Sequence, residues 1–132
     1  MLMERMLFTE FLIVGAGGFL GSGLRFVTTV YVQRLFPDSP FPYGTATVNI
    51  IGCLLIGYLG AIVMTREVID PALRLFLLVG ILGGFTTFSA FAFENLLFAQ
   101  DSRFFLVLLN VVVQVVAGFI AAWAGFQLAR FI

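Results

Sequence analysis

Residues 80–91 read Gly-Ile-Leu-Gly-Gly-Phe-Thr-Thr-Phe-Ser-Ala-Phe and combine glycines, hydroxyl groups and aromatic rings within a long apolar segment. A helix that crosses a bilayer closes its own backbone hydrogen bonds, and irregular backbone is tolerated there only where it is buried in protein or lines a polar cavity. Gly83-Gly84 followed by Thr86-Thr87 predicts such an irregular stretch. Carbonyl oxygens that it frees can gather around a small hard cation. The segment therefore indicates a working site rather than a plain anchor.

Phe88 and Phe91 are three residues apart and share a face once the helix has resumed. An aromatic ring is positive at its edge, so an edge aimed into a narrow pore contacts a small anion without the grip of a cationic side chain. Hydroxyl groups and the Asn49 amide can replace part of the anion's water, and conduction requires that the ion also be released. Because 17 of the 132 residues are Phe, ordinary packing also accounts for the pair.

Five strongly polar side chains, Asn49 among them, interrupt apolar segments, and each has two interpretations. Asn49 either forms a helix–helix hydrogen bond, which the residue alone favours, or donates toward a pore. Arg25 either faces a cavity or extends to the interface, and Glu94 is either an interfacial acid or part of a vestibule. Asn110 and Gln114 lie four residues apart on one helix face, where they line a polar path or join helices.

Composition predicts the elements that position these residues. The chain is 61% hydrophobic with a mean hydropathy of +1.12, which is typical of a membrane protein. Each helical crossing takes roughly 20 apolar residues. We expect a single integral membrane domain over residues 1–132 with four transmembrane helices, at 7–33, 44–64, 72–98 and 104–130. The first apolar segment continues well past any signal-peptide cleavage site and is therefore counted as a helix.

The charged residues exclude several classes of function. Seven basic residues, all Arg, balance seven acidic ones, and no basic run predicts a nucleic-acid partner. His is absent, which argues against most metal chemistry and against an imidazole proton relay. The single Cys53 has no internal disulfide partner. The sequence offers no nucleophile–base pair and no nucleotide-binding motif, so we expect neither an enzyme nor a pump.

The arginines give only a weak signal for orientation. If four helices alternate, one side of the membrane carries four arginines and the other two, with Arg25 leaning toward the second side. The first group is Arg5, Arg66, Arg74 and Arg130, and the second is Arg34 and Arg103. So small a bias fits insertion in both orientations. Two opposed copies can then pair about a two-fold axis in the membrane plane.

Three segments together resemble the CrcB/Fluc fluoride channels. Residues 83–91, Gly-Gly-Phe-Thr-Thr-Phe-Ser-Ala-Phe, resemble the third-helix signature of that family. Residues 17–26, Gly-Gly-Phe-Leu-Gly-Ser-Gly-Leu-Arg-Phe, and residues 44–52, Gly-Thr-Ala-Thr-Val-Asn-Ile-Ile-Gly, agree with it in the first two helices. The resemblance covers all four helices in length and order, and the three motifs are specific only in combination.

The resemblance implies an all-α membrane protein whose third helix is broken at Gly83–Thr87. It implies an antiparallel, dual-topology homodimer in the inner membrane with two fluoride pores and a central structural sodium ion. Such a channel is passive, because the membrane potential drives an accumulated anion out of the cell. The implied partners are fluoride, a second copy of the chain and the lipid bilayer.

The resemblance also implies three groups of site residues. The fluoride pore comprises Phe88, Phe91, Asn49, Ser89 and Gln114. The vestibule residues are Arg25 and Glu94, and the sodium ligands are the backbone carbonyls of Gly83 and Thr86. The chain departs from the family at Ala90, commonly Thr, and at Gln114, where relatives often carry other polar or aromatic groups. These departures concern the far half of the pore.

Two other functions compete with this one. Proton-coupled exporters of the small multidrug-resistance kind also have four helices, but they need a carboxylate in the middle of the first helix. Glu10 lies near the start of that helix. A structural or assembly subunit is the second alternative, and the polar residues clustered at the predicted break count against it.

Overall fold

The computed structural model describes residues 2–65 and 69–131, and their regular structure is entirely helical. Four stretches are long and apolar enough to cross a membrane, which confirms the predicted all-helical class and the four spans. They are Met3–Arg34, Tyr43–Met64, Pro71–Gln100 and Phe104–Phe131. Arg66, counted above among the arginines of one side, lies outside the described residues.

Five helices make up these spans. The first, α1, is Leu2–Arg34, so it starts five residues before the predicted position. The second, α2, is Tyr43–Thr65. The third span consists of α3, residues 71–85, and α4, Phe88–Gln100. The last helix, α5, is Phe104–Phe131 and ends in a short 3₁₀ turn.

Helix α3 begins where the sequence provides a cap and a proline. The Asp70 carboxylate accepts hydrogen bonds from the N–H groups of Ala72 and Leu73 at 2.8 and 3.3 Å, and Pro71 occupies the first helical position. Both features favour a helix amino terminus, because the first N–H groups have no partner within the helix. The helix then widens into a π-helical stretch over Leu75–Leu82.

The third span changes conformation at two threonines. Thr86 has φ −86° and ψ 159°, and Thr87 has φ −152° and ψ 116°, so both are extended between two helices. Gly83 and Gly84 are helical, whereas the sequence-based expectation put the irregular backbone over the whole of Gly83–Thr87. Glycine is tolerated within membrane helices, and Gly84 packs closely: a Cβ there would lie 2.7 Å from the Gly18 carbonyl oxygen.

Close backbone contacts between helices require glycine on α1. A Cβ at Gly17 would lie 2.5 Å from the Phe76 carbonyl oxygen, and a Cβ at Gly21 would overlap the Ile81 carbonyl. Small residues at this spacing let membrane helices approach closely and gain packing energy. Helices α1 and α3 are therefore held backbone to backbone immediately before the extended threonines.

Burial is reversed relative to a water-soluble protein. Large apolar side chains lie outside, with Phe19 80% and Phe119 76% exposed, whereas Asn110 is fully buried. Lipid solvates apolar side chains well, so polar groups are the ones that need protein partners. The buried polar side chains of the described residues therefore indicate where the interior has a function beyond packing.

Candidate functional site

Asn49 of α2 binds the extended backbone directly. Its Oδ1 accepts the Thr87 N–H at 2.8 Å, and its Nδ2 donates to the Thr87 carbonyl at 3.0 Å. A backbone group that leaves a helix inside a membrane needs another partner, and one amide side chain can satisfy a donor and an acceptor together. Asn49 therefore supplies the hydrogen bonds that helical backbone would otherwise make at Thr87.

A chain of amides continues from Asn49 into α5. Asn49 Nδ2 also donates to Gln114 Oε1 at 2.6 Å, and Gln114 Nε2 donates to Asn110 Oδ1 at 2.8 Å. Both α5 side chains are buried, and Gln114 lies in a π-helical segment, Val113–Ala117. The two residues thus share an inward face, and the polar chain joins α2, α5 and the extended threonines.

Glu94 of α4 contacts the beginning of α2. Thr45 Oγ1 donates to Glu94 Oε1, and the Asn110 amide lies beside the same carboxyl group. Within the described part of the chain, Glu94 Oε2 and Asn110 Nδ2 have no hydrogen-bond partner of regular geometry. The predicted vestibule acid is thus half-buried next to the far end of the amide chain.

The two predicted phenylalanines lie together at the start of α4. Their ring centroids are 5.5 Å apart with an interplanar angle of 47°, and Phe88 is 78% exposed. Both line a cavity of about 440 Å³ at the protein surface. The other predicted site residues in its wall are Asn49, Gly83, Thr86 and Gln114. Six of the nine predicted residues therefore meet around one cavity.

Ser89 and Arg25 lie on the other side of the extended threonines. They line a second cavity of about 560 Å³, together with Thr45 and Thr87. Ser89 Oγ is 3.2 Å from Thr87 Oγ1 and is exposed. Ser89 is therefore not in the wall of the cavity that holds the two phenylalanines. Thr87 lines both cavities.

Arg25 reaches the extended backbone rather than ending at a membrane surface. Its Nη1 donates to the Thr86 carbonyl at 3.3 Å, and its side chain is half-buried. An Arg inside a span normally pairs with another side chain or a backbone carbonyl. Of the two interpretations of Arg25, the structure favours the one that directs it inward.

The carbonyl groups of Gly83 and Thr86 are among those that lose their helical donors where α3 ends. In a continuous helix the Thr87 N–H would donate to the Gly83 carbonyl and the Ala90 N–H to the Thr86 carbonyl. Instead the Thr87 N–H donates to Asn49, and the Ala90 N–H donates to Thr87 Oγ1 at 3.2 Å. Gly83 is exposed, and a Cβ added to it would meet no atom of the described chain within 4 Å, apart from its chain neighbours and its own helix backbone. These oxygens are suitable ligands for a small hard cation.

Sequence reasoning placed Thr87 at the end of the irregular stretch but gave it no hydrogen-bonding role, and it assigned no role to Thr45. A threonine directly before a resumed helix is typical of an N-cap, and the bond from Ala90 N–H to Thr87 Oγ1 has that geometry. Thr45 is four residues before Asn49 in the same helix, so the two share a face. The position of Thr87 before the resumed helix and the spacing of Thr45 and Asn49 are both visible in the sequence. Neither one indicates which distant residue Thr87 or Thr45 contacts.

The chain has extensive similarity to known proteins. The family described as "CrcB-like protein, Camphor Resistance (CrcB)" matches residues 12–126. A protein of Elusimicrobium minutum (strain Pei191), named fluoride-specific ion channel FluC, is 40% identical over 96% of this chain and 98% of its own length. Proteins of the same name from Chlorobium luteolum (strain DSM 273 / BCRC 81028 / 2530) and Methylobacillus flagellatus (strain ATCC 51484 / DSM 6875 / VKM B-1610 / KT) are 41% and 39% identical.

The Chlorobium relative matches 90% of this chain and 91% of its own length, and the Methylobacillus relative matches 92% and 94%. The match to the family covers every residue of the polar chain and of both cavities. Together with the four membrane spans, these comparisons show a multi-pass membrane protein that belongs to the CrcB-like family.

Proposed function

We propose that this protein is a fluoride-selective passive channel that lets fluoride leave the cell. One observation carries the proposal: relatives named fluoride-specific ion channel match the chain over nearly its whole length, through every residue of the site. The name of these relatives is that of a channel and not of an enzyme, in agreement with the sequence-based expectation.

The driving force follows from acid–base chemistry. Hydrogen fluoride crosses a membrane as a neutral weak acid and dissociates in a neutral cytoplasm, so the anion accumulates inside. The membrane potential favours exit of an anion, and a pore alone then lowers its concentration. The channel therefore needs selectivity but no energy source.

The fluoride path in this proposal follows the cavity that holds the two rings. Phe88 and Phe91 present positive ring edges to the ion, and the amides of Asn49 and Gln114 supply polar groups. Ser89 lies across Thr87 and acts at the adjoining, second cavity. These contacts are weaker than a charge pair, as release of the ion requires.

Two charged residues act outside the ring pair. Arg25 lines the second cavity and raises the local potential for an approaching anion, while it also supports the Thr86 carbonyl. Glu94 lies beside Asn110 and Thr45, where it defines one end of the polar path. Both serve as the vestibule residues of the proposed pore.

A second copy of the chain completes the proposed channel. The ring cavity opens at the surface, and Gly83 and Phe88 beside it are exposed. A partner in the opposite orientation covers this surface and produces two pores related by a two-fold axis. The nearly even distribution of arginines is compatible with insertion in both orientations.

The proposed dimer holds a structural sodium ion on the carbonyls of Gly83 and Thr86. The donor set fits, because both oxygens lack their helical donors, and the Thr86 oxygen has two lone pairs of which Arg25 uses one. A bound cation would supply positive potential next to the anion path. The two carbonyls are oriented by the bonds of Asn49 and Arg25 to the extended threonines.

A growth experiment tests the proposed function. The chain is expressed in a bacterium that lacks its own fluoride exporter, and growth is measured over a series of fluoride concentrations. We expect the protein to restore growth in fluoride and to leave sensitivity to cationic toxic compounds unchanged. Resistance to such cations without resistance to fluoride, in cells shown to contain the membrane protein, would contradict the proposal and favour a cation exporter.

A further inference from the structure

The amide of Asn49 has no hydrogen free for an ion. Its nitrogen carries two N–H donors. One donates to the Thr87 carbonyl at 3.0 Å and the other to Gln114 Oε1 at 2.6 Å. Any anion that takes a hydrogen bond from Asn49 must therefore displace one of these two acceptors.

The direction of the amide chain is fixed by the backbone. Because Asn49 Oδ1 accepts the Thr87 N–H, its nitrogen necessarily faces the Thr87 carbonyl and Gln114. Gln114 therefore presents its oxygen to Asn49 and its nitrogen to Asn110. Reversing the Gln114 amide would place two N–H groups against each other. The acceptor held by Asn49 is thus a defined group, the Gln114 oxygen.

Of the two acceptors, the Gln114 oxygen is the one that can move. The Thr87 carbonyl belongs to backbone held at both ends by helices, whereas Gln114 has a flexible side chain. Gln114 also lines the cavity of about 440 Å³ that holds Phe88 and Phe91. That cavity offers space into which its amide can turn, and the Asn49 amide that it would release lines the same cavity as the rings.

We propose that Gln114 is a specificity-determining residue that competes with the permeating anion for the Asn49 N–H. The inference rests on the proposed function. An anion gains access only if it accepts a hydrogen bond more strongly than an amide oxygen does. Fluoride, small and with concentrated charge, meets that condition, because hydrogen bonds to charged acceptors are shorter and stronger than neutral ones. Chloride is larger, accepts more weakly and leaves the Asn49–Gln114 bond closed.

Two substitutions remove the Gln114 oxygen, which competes with the anion, and add no charge. Gln114→Leu and Gln114→Met are reconstituted into liposomes, and initial rates of fluoride and chloride efflux are measured. Gln127→Leu is the matched control, because Gln127 lies in the same helix but bonds Arg130 at 3.2 Å, away from the amide chain. Dimer content of each variant is checked by size-exclusion chromatography.

We expect the chloride-to-fluoride rate ratio to rise about tenfold in both Gln114 variants, equivalent to about 1.4 kcal/mol, even where loss of the Gln114 amide slows fluoride itself. The control should retain the ratio of the unaltered protein. A purely structural role would lower both rates together and leave the ratio unchanged. An unchanged ratio in both Gln114 variants, in folded protein, would overturn the inference, as would loss of all fluoride efflux in both.

A second readout does not require transport. The side-chain amide of Asn49 is observed by NMR in detergent micelles, assigned by its loss in Asn49→Asp, and titrated with fluoride. We expect its proton shift to occur at lower fluoride concentration in Gln114→Leu than in the unaltered protein. Equal midpoints would refute competition. If the unaltered protein passes fluoride but the midpoints and ratios do not change, the inference alone fails; if it passes none, the proposed function fails with it.

Discussion

Asn49 is the residue on which the extended backbone of the third span depends. It satisfies both backbone groups of Thr87, although the two residues are 38 positions apart in the chain. A buried backbone group without a partner costs about 1–3 kcal/mol. The residue type alone favoured a plain helix–helix hydrogen bond. The structure contains such a bond, from Asn49 to Gln114 of α5, and adds two bonds to backbone of Thr87 that the neighbouring helices do not satisfy. Sequence spacing carries no signal for this second pairing.

Replacing Asn49 should destabilise the fold more than replacing a similar residue elsewhere. Asn49→Leu leaves the Thr87 N–H and carbonyl without partners, so we expect a loss of about 2–4 kcal/mol in the free energy of unfolding. Asn95→Leu is the control, because Asn95 donates to the Phe91 carbonyl, one turn earlier in its own helix. Thermal unfolding of both variants in detergent makes the comparison. Equal unfolding temperatures for the two would contradict this account of Asn49.

The ring pair is tested by removing the aromatic edges while keeping apolar volume. For Phe88→Ile and Phe91→Ile we expect fluoride efflux from liposomes to fall about tenfold or more, the effect of losing about 1.4 kcal/mol in the limiting step. Phe119→Ile serves as control, since Phe119 is as exposed as Phe88 but is not in the wall of the cavity. Efflux at the unaltered rate in both ring variants would exclude the rings from the fluoride path.

At the scale of elements, apolar length was enough to predict the number and order of the spans, because roughly 20 apolar residues are needed to cross a bilayer. The same reasoning could not define the extent of the irregular backbone. Gly83 and Gly84 are weak helix formers, yet they remain helical, and only Thr86 and Thr87 are extended. Tertiary contacts decide where the helix gives way to extended backbone, because α1 packs against Gly84 and Asn49 binds Thr87.

The contact between α1 and α3 gives a prediction with a control in the same helix. A Cβ at Gly21 would overlap the Ile81 carbonyl, whereas a Cβ at Gly23 would have nothing within 4 Å. We expect Gly21→Ala to lower the free energy of unfolding by about 1–3 kcal/mol through overpacking. Gly23→Ala should leave it unchanged or raise it slightly, because alanine favours helix. Thermal unfolding compares the two, and similar destabilisation by both would refute the close contact.

At the scale of the whole molecule, the exposed cavity and exposed phenylalanines require a surrounding that the single chain does not provide. Lipid covers most of the apolar surface, and the proposed second copy covers the ring cavity and Gly83. Within one subunit, the polar chain links α2, α4 and α5 to the extended threonines. Three of the predicted site residues, Asn49, Gln114 and Glu94, are therefore held by hydrogen bonds that connect neighbouring helices.

The proposed sodium ion makes the stability of that assembly depend on the cation present. Replacing sodium by a large organic cation should shift the dimer toward monomers, because the carbonyls of Gly83 and Thr86 in the two subunits then no longer bind a common ion. We expect the shift in size-exclusion chromatography or chemical cross-linking to reverse when sodium is restored. A dimer content independent of sodium over a wide concentration range would contradict the sodium site.

The central claim is fluoride-selective conduction by the purified protein. The direct measurement is anion efflux from liposomes that contain it, recorded with a fluoride electrode and repeated with a chloride electrode. We expect rapid fluoride release with no matching chloride release, and none of either from protein-free liposomes. Folded, dimeric protein that releases no fluoride, or releases chloride equally fast, would contradict the account.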